Sequence, residues 1–554
     1  MQTEVLIVGA GPTGLVLALW LARLGVAVRI VDRAPEPGMS ARAFALQART
    51  LELYDRLGIA REAIARGRMV DRLHVHHDGR SHAIPLGDFG RGISPFPFVL
   101  VLLQDEHERL LIEHLAEAGV QVERGVELVD LDDRGPLLRA RLRGPTGGDR
   151  LCEAAYVCGC DGVGSIVRQL VGIDFPGRSL EEFFYVADVE ARGGLADGDL
   201  HYVMNGQELC SVFPRRGRGR LRLIGLVPRS VRERLSQFGF EDLRPQIEQD
   251  TGLEIGRVES FAAYRVRQRI AETWRRGRAF LLGDAAHVHS PAGGQGLNAG
   301  VGDAVNLAWK LGAVLRGGAD EALLGAYEAE RREAARQIAA TTDRGFTMQA
   351  QRGGLAAGVR GALIAAAPEL MRLSGVARWL FGVISQVGVS YRGGEACWGR
   401  AGRVRGGDRL PWVKPLGEPA NFDTLQPPFP LEPMPPEGAP DGPDQPVGAY
   451  RFTERALGFG WQAQVYGEPR APLRDACAEW GLGLQRFPWT PEARRAGLAR
   501  DALYLVRPDG YVGFADSGQS VRRLAAYLER FDIRFRSAPG GNGALHTGLG
   551  APHA

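Results

Sequence analysis

Lysine is almost missing from this chain of 554 residues: among its 68 basic residues only Lys310 and Lys414 are lysines. A GC-rich codon bias toward arginine is the simplest cause, and no stability is read from it. A strong net charge is missing too. The 68 basic against 65 acidic residues leave +3 at pH 7, which argues against a nucleic-acid or membrane-surface partner. The six cysteines (Cys152, Cys158, Cys160, Cys210, Cys397, Cys477) form no C-x-x-C pair and no disulfide-like framework. With no export signal, the expected compartment is a reducing cytoplasm. One uncharged run, Val5 to Ala22, approaches the about 20 apolar residues of a membrane span. Its centre, Gly9-Ala10-Gly11-Pro12-Thr13-Gly14, breaks a continuous helix. The acidic start Met1-Gln2-Thr3-Glu4 is wrong for a signal peptide.

What is present instead is a strand, a glycine turn and a helix. Val5 to Val8 suits a central parallel strand buried on both faces. Gly9, Gly11 and Gly14 follow as G-x-G-x-x-G, and Leu15 to Leu24 reads as a buried helix stopped by Gly25. Val28 to Val31 is a second strand that ends in Asp32, with Arg33 next to it. The acid at this distance turns a weak glycine signal into a specific dinucleotide fingerprint. The first glycine makes the turn, the second admits a pyrophosphate, and the third allows close helix packing; the helix start offers amides and a positive dipole. Asp32 suits ribose hydroxyls and disfavours a 2′-phosphate, so the bound dinucleotide is FAD or NAD rather than NADP.

A second informative stretch runs from Arg278 to Asn298. An apolar strand ends in Gly283-Asp284, a glycine-rich turn follows, and Gly302 to Leu315 reads as a helix. This second helix start again offers free amides to an anion. A carboxylate at a strand end can hold polyol hydroxyls. The combination suits a cofactor with both a pyrophosphate and a ring that becomes negative, as a reduced flavin does.

Gly9 to Gly14, Gly283-Asp284-Ala285-Ala286-His287, Gly294-Gln295-Gly296-Leu297-Asn298 and Cys160-Asp161-Gly162-Val163-Gly164 together resemble the FAD-dependent aromatic hydroxylases. These are single-component flavoprotein monooxygenases of the para-hydroxybenzoate and phenol hydroxylase type. Ser40-Ala41-Arg42-Ala43, Arg49-Thr50-Leu51-Glu52 and Gln104 with Glu108-Arg109 also fit, and the resemblance covers about residues 1–400. It implies that Gly9, Gly11 and Gly14 cradle the pyrophosphate and Asp32, with Arg33, takes the adenosine side. Arg42 and Gln104 would lie along the flavin, Asp161 and Gly162 would serve flavin and nicotinamide, and Asp284 would bond the ribityl chain. The amides around Gly294, Gly296, Leu297 and Asn298 would face the pyrimidine edge, with the Pro291 carbonyl near the reacting edge. His287 is expected to cap or pack its turn. The implied reaction takes NAD(P)H and O₂: hydride reduces FAD, O₂ adds to give a flavin hydroperoxide, and its distal oxygen passes to an electron-rich ring. Only one full fingerprint occurs, so nicotinamide visits transiently.

One position departs from the family. Phenol hydroxylases place an aspartate five residues before Arg-Thr-Leu-Glu, and here Phe44 stands there. Tyr264, Arg267 and Arg269 are the candidate substrate activators in its place, alongside Pro291 as a catalytic backbone group. Leu73-His74-Val75-His76-His77 puts two histidines on one strand face. No further ligand stands at metal spacing, so a structural role and no metal site are expected. A halogenase would need a lysine in a tunnel, and neither Lys310 nor Lys414 fits. A Baeyer–Villiger or epoxidising enzyme of the same fold, and a flavin-binding sensor without turnover, remain open alternatives.

The expected fold class is α/β: a Rossmann-like FAD-binding domain, an antiparallel-sheet substrate domain and a C-terminal thioredoxin-like α/β domain. FAD binding takes 1–174, with inserted strands near 72–100, and the substrate sheet takes 175–275. Residues 276–400 complete the FAD site and add long helices. The thioredoxin-like domain spans 401–536, including a loop at 415–446 with eleven prolines, too many for a helix. Packing or a homodimer contact is its default role, since it lacks C-x-x-C. Residues 537–554 read as a disordered tail. The partners are a small aromatic substrate and O₂.

Overall fold

The computed structural model describes residues 1–38, 44–77, 79–205, 208–228, 231, 238–288, 294–350, 374–414 and 459–535. Val5 to Val8 are wholly or almost wholly buried, and they place strand Gln2–Val8 at the middle of a parallel sheet covered on both faces. The parallel order is Ala279–Leu281, Asp149–Gly159, Gln2–Val8, Val28–Asp32 and Val122–Arg124. Asp149–Gly159 changes partner midway. Its first half pairs antiparallel with Leu138–Arg143, and its last three residues pair parallel with Ala279–Leu281.

Helix Pro12–Arg23, buried from Gly14 to Leu21, packs between helices Gln104–Glu117 and Gln295–Leu315. The last of these starts seven residues earlier than its sequence suggests. Gly296 falls in the stretch read as a glycine-rich turn and Gly302 at the expected helix start, but Gly300 and Gly302 mark close approach inside the helix. A Cβ on Gly300 would stand 2.3 Å from Thr13 Oγ1, and one on Gly302 would stand 2.8 Å from the Arg331 guanidinium.

A second sheet has the order His287–Val288, Glu254–Ile270, Gly177–Arg192, Arg220–Leu226, Glu208–Pro214, Leu200–Asn205, Arg72–His77, Arg80–Pro85. It is antiparallel except where Leu200–Asn205 meets Arg72–His77. The hairpin Arg72–Pro85 therefore reaches out of the cofactor region and extends the sheet expected at 175–275. One face packs Tyr185, Ala187, Val189, Val212 and Leu223 against Ile247 of helix Arg244–Thr251. The alternate residues face the cofactor region, as the two-residue period of a strand requires.

The C-terminal module is a mixed sheet, ordered Val404–Arg405, Trp398–Ala401, Val512–Asp516, Leu503–Val506, Gln462–Tyr466, Gly483–Phe487. Helices Ala471–Trp480 and Val521–Glu529 accompany it. Its strand Trp398–Ala401 begins just before the boundary expected at 401. The segments 415–446 and 537–554 lie outside the described residues. No helix among the described residues is long and apolar enough to cross a membrane.

Candidate active site

Val8, Asp32, Gly159 and Leu281 end their parallel strands on the same edge, which is where open α/β sheets bind ligands. The turn after Val8 is closed at both ends and open in the middle. Gly9 has φ +103°, and a Cβ there would stand 2.4 Å from the Cys160 carbonyl oxygen. A Cβ on Gly14 would stand 2.0 Å from the Gly9 carbonyl oxygen, whereas one on Gly11 meets nothing within 4 Å. Gly11 is also the N-cap of helix Pro12–Arg23 and offers no side-chain cap, so the first-turn amides keep their need for an acceptor. Asp32 accepts the Ala10 amide at 2.6 Å and the Ala34 amide at 2.8 Å. Its carboxylate therefore borders the turn, with the Arg124 guanidinium 3.7 Å away. Arg33 is exposed beside it.

The other motifs meet this turn. Gly283, Ala285 and Ala286 are buried, while Asp284 between them is exposed on the strand-end edge. Arg168 donates to the Ala285 carbonyl at 2.8 Å and the Val163 carbonyl at 2.7 Å, tying the Asp161-Gly162 loop to the Asp284 turn. Asp161 itself caps helix Ile166–Leu170, accepting the Ile166 and Val167 amides at 2.7 and 3.1 Å. Burial pushes its carboxyl upward. Gly294, at φ +63°, starts helix Gln295–Leu315, leaving the amides of Gln295, Gly296 and Leu297 without helical acceptors. The Asn298 side chain uses both its ends as a clamp. Its oxygen accepts from the Gln47 amide and the Thr50 hydroxyl, and its nitrogen donates to the Ala45 and Gly294 carbonyls. Gln104 donates to Glu108 at 2.8 Å, and Glu108, pushed up by burial, accepts the Gly38 amide. Arg42, His289 and Pro291 lie outside the described residues.

His287 packs, as its sequence setting suggests. Its ring stacks on Trp274 at 5.0 Å, and its Nε2 lies 2.8 Å from Asp303 Oδ2. Asp303 also takes the Gly283 amide at 3.0 Å and the Arg331 Nε at 2.7 Å. Burial alone would raise the Asp303 carboxyl, but the Arg331 and His287 charges hold it below the usual range. Lys310 is equally remote from a tunnel. It is wholly buried, 2.9 Å from Glu330 and 2.6 Å from the Asn306 side chain, with burial lowering it to about 8.

Across the cradle the substrate sheet turns an aromatic face inward. Phe44 meets Phe213 edge-on at 4.5 Å, Tyr202 meets Phe213 at 6.3 Å, and Tyr264 stacks near Phe184 at 6.3 Å. Ile224 joins both groups. Phe44 precedes Ala45, whose carbonyl Asn298 holds, so this face stands beside the start of helix Gln295–Leu315. Sequence reasoning missed the ion pairs of Asp188, which Arg215 approaches to 3.5 Å. Arg222 and Asp188, in register on neighbouring strands, form a buried two-point pair at 2.7 Å each, and Ser260 donates to Asp188. The Arg222 guanidinium also lies 5.3 Å above the Phe44 ring. The alternation of Arg220-Leu221-Arg222-Leu223 reads equally well as exposed strand charge. Arg269 leans instead over the Phe175 ring at 5.9 Å, a ring it shares with Arg168. Arg267 is exposed.

An open glycine position, two helix starts and two strand-end carboxylates fit FAD, and together they define an FAD-binding flavoprotein with a separate substrate sheet. A family described as FAD binding domain matches residues 2–342. The chain is 32% identical over 541 residues to a flavin-dependent monooxygenase of Mycobacteroides abscessus, covering 94% of this chain and 99% of that one. It is 39% identical over 336 residues to 6-methylpretetramide 4-monooxygenase of Streptomyces rimosus, spanning 59% of either chain. Among solved structures, the anhydrotetracycline hydroxylase OxyS of Streptomyces rimosus superposes with a TM-score of 0.73 at 29% identity, over 96% of this chain and 99% of that one. The chain belongs to this FAD-binding family of flavin-dependent monooxygenases.

Proposed function

We propose that this enzyme hydroxylates a phenolic or polycyclic, polyketide-like aromatic with NAD(P)H and O₂. The balance is one aromatic C–H, O₂, NAD(P)H and a proton giving the phenol, water and NAD(P)⁺. The observation that carries this reading is the aromatic face of Phe44, Phe184, Tyr202, Phe213 and Tyr264 beside a flavin cradle. The names of two similar proteins, 6-methylpretetramide 4-monooxygenase and anhydrotetracycline hydroxylase, support a fused-ring substrate.

When bound, FAD supplies electron transfer from nicotinamide and activation of O₂. The chain's own residues set the conditions. Gly11 and the amides of helix Pro12–Arg23 would hold the pyrophosphate, and Asp32 and Asp284 would hold the ribose and ribityl hydroxyls. The amides at Gln295, Gly296 and Leu297 would hold the pyrimidine edge, and their helix start would stabilise negative charge there. The aromatic face excludes water and stacks the substrate rings. Phe44 has no carboxylate to accept a phenol proton. Arg222 is paired with Asp188, and the guanidinium end of that pair lies above the Phe44 ring, so its dipole favours the phenolate by lowering its pKa.

The test is NAD(P)H oxidation by the purified yellow protein against tetracyclic and single-ring phenols, with product masses. Stimulated oxidation with a gain of one oxygen and an intact ring system is expected. Lactone or ring-opened product would instead mark a Baeyer–Villiger enzyme, and absence of stimulation by any aromatic would sink the catalytic reading. A protein that cannot take up FAD would remove its basis.

A further inference from the structure

Strand Arg72–His77 lies parallel to Leu200–Asn205 with His74 opposite His201. The sequence shows two histidines on one strand face and no further ligand within reach. The parallel pairing corrects that picture by supplying His201, and the turn before it supplies Asp197 and Asp199. The His74 and His201 rings stack at 4.9 Å, and those of His76 and His201 stand 5.2 Å apart. His74 Nε2 lies 2.8 Å from Asp199 Oδ2. One ligand atom from each of His74, Asp197 and Asp199 falls within 4.8 Å of the other two.

The hydrogen bonds also fix the orientation of the neighbours. A carboxylate only accepts, so His201 Nε2 donates to Asp197 Oδ1 at 2.8 Å. Its Nδ1 lies 3.0 Å from His76 Nε2, where one imidazole donates to the other. Asp197 Oδ1 takes the Asp199 amide as well, at 2.9 Å. Carboxylates that ligate a metal are ordinarily held in this way by outer hydrogen-bond donors.

We propose that His74, Asp197 and Asp199 bind a divalent transition ion of the Zn²⁺ class, through His74 Nε2 and one oxygen of each carboxylate, with water as a fourth ligand. Imidazole with carboxylates suits this ion. Tetrahedral ligands at about 2.0 Å from zinc stand about 3.3 Å apart, so His74 and Asp199 need to separate by about half an ångström, and the Asp197 oxygen, within 4.8 Å of both, needs to draw in by up to about 1.5 Å. Among the described residues two guanidiniums stand by the site: Arg72, 3.8 Å from Asp199, is 56% exposed and free to turn into water, and Arg68 packs against Gly198 between the two carboxylates. The ion pins the hairpin Arg72–Pro85 to the substrate sheet. Leu73, Leu200 and Tyr202 of the same two strands pack in the cluster around Phe44 and Phe213, so the ion braces the far wall of the aromatic chamber.

The experiment uses untagged full-length holoenzyme, stripped with a chelator, desalted, titrated with Zn²⁺ alone and desalted again. Bound zinc and FAD absorbance are read together. The wild type should retain about one zinc per chain and melt higher with it, and His74→Ala and Asp199→Asn should retain less than about a tenth with FAD content unchanged. Asp199→Asn keeps the side chain's size and decides the matter if His74→Ala loses its flavin. A wild type that retains no zinc and whose melting is unmoved by it overturns the proposal, leaving only a hydrogen-bonded seam. Equal retention by wild type and Asp199→Asn places the ion elsewhere and overturns it as well.

Discussion

The cofactor cradle and the seam with the C-terminal module lie on either side of helix Gln295–Leu315. At the cradle the chain presents backbone amides, Gly11 and two partly accessible carboxylates. At the seam it presents wholly buried charge. Glu330 takes Arg507 at 2.6 and 2.8 Å, Lys310 at 2.9 Å and the Asn306 amide at 2.7 Å. Asp509 takes Arg507 at 2.6 Å and the Trp309 indole at 3.0 Å. Nearby, Glu52 is gripped by Arg409 at 2.5 and 2.8 Å and by Arg49 at 2.7 Å. The difference follows from what each surface meets. A cradle keeps its donors unspent for a ligand, whereas a seam has no ligand and must pair each of these charges within the chain.

The largest break in that contrast comes from Glu330→Ala. Removing one partner of a buried network costs about 3–5 kcal/mol because the remaining charges stay buried. Urea unfolding should show this loss, with the C-terminal module becoming protease-sensitive first. A loss below about 1 kcal/mol, the range of exposed pairs, would mean that the seam is not held by these charges.

Acid should produce a smaller break of the same kind. Burial pushes Glu330, Asp509 and Asp303 upward, but the Arg507, Lys310 and Arg331 charges outweigh it and hold all three below their ordinary 4.5 or 3.8. The unfolded chain then takes up protons first. Their stabilisation is complete above the ordinary carboxylate values and is lost as pH falls through the folded ones. Melting temperature should drop from pH 5 to pH 3, and Glu330→Gln should show a flatter slope. An unchanged slope in that variant would assign the acid sensitivity to other groups.

At the cradle the effect should fall on the ligand instead. Gly11→Ala meets no atom of the chain, so the apoprotein should unfold within about 0.5 kcal/mol of wild type. FAD affinity should weaken at least tenfold, about 1.4 kcal/mol, because the new methyl occupies the approach of the pyrophosphate. Gly14→Ala, which strikes the Gly9 carbonyl, should instead impair folding. Fluorescence titration of FAD into both variants distinguishes these outcomes, and equal damage to both would refute the open-middle geometry.

The same contrast explains what the sequence made legible. Gly9 and Gly283, at φ +103° and +57°, and Gly14, against the Gly9 carbonyl, answer to backbone geometry within a few residues as well as to distant segments, so their spacing survives in one dimension. Glu330 with Arg507, Asp188 with Arg222 and His74 with Asp199 are joined only by the fold. Each reads as ordinary solvent-facing charge until a partner from a distant segment arrives. The start of helix Gln295–Leu315 is hidden for a related reason. Gly300 records the close approach of Thr13 rather than a turn, and helix propensity alone favours a later start.

The smallest effect belongs to two residues on one strand of the substrate sheet. Tyr264 and Arg267 stand three positions apart, and with Phe44 in place of an aspartate the sequence offers both as substrate activators. Tyr264 packs in the inward cluster with Phe184, Ile224 and Leu226, whereas Arg267 is exposed. Tyr264→Ala should therefore raise KM for the aromatic, as it removes a stacking surface that substrate and transition state share. Arg267→Ala should change kcat/KM less than about twofold and stability by less than about 0.5 kcal/mol, as for other surface substitutions. Steady-state kinetics with any accepted aromatic makes the comparison. A loss of more than about tenfold in kcat for Arg267→Ala, about 1.4 kcal/mol of transition-state stabilisation, would move substrate activation from Arg222 to this arginine.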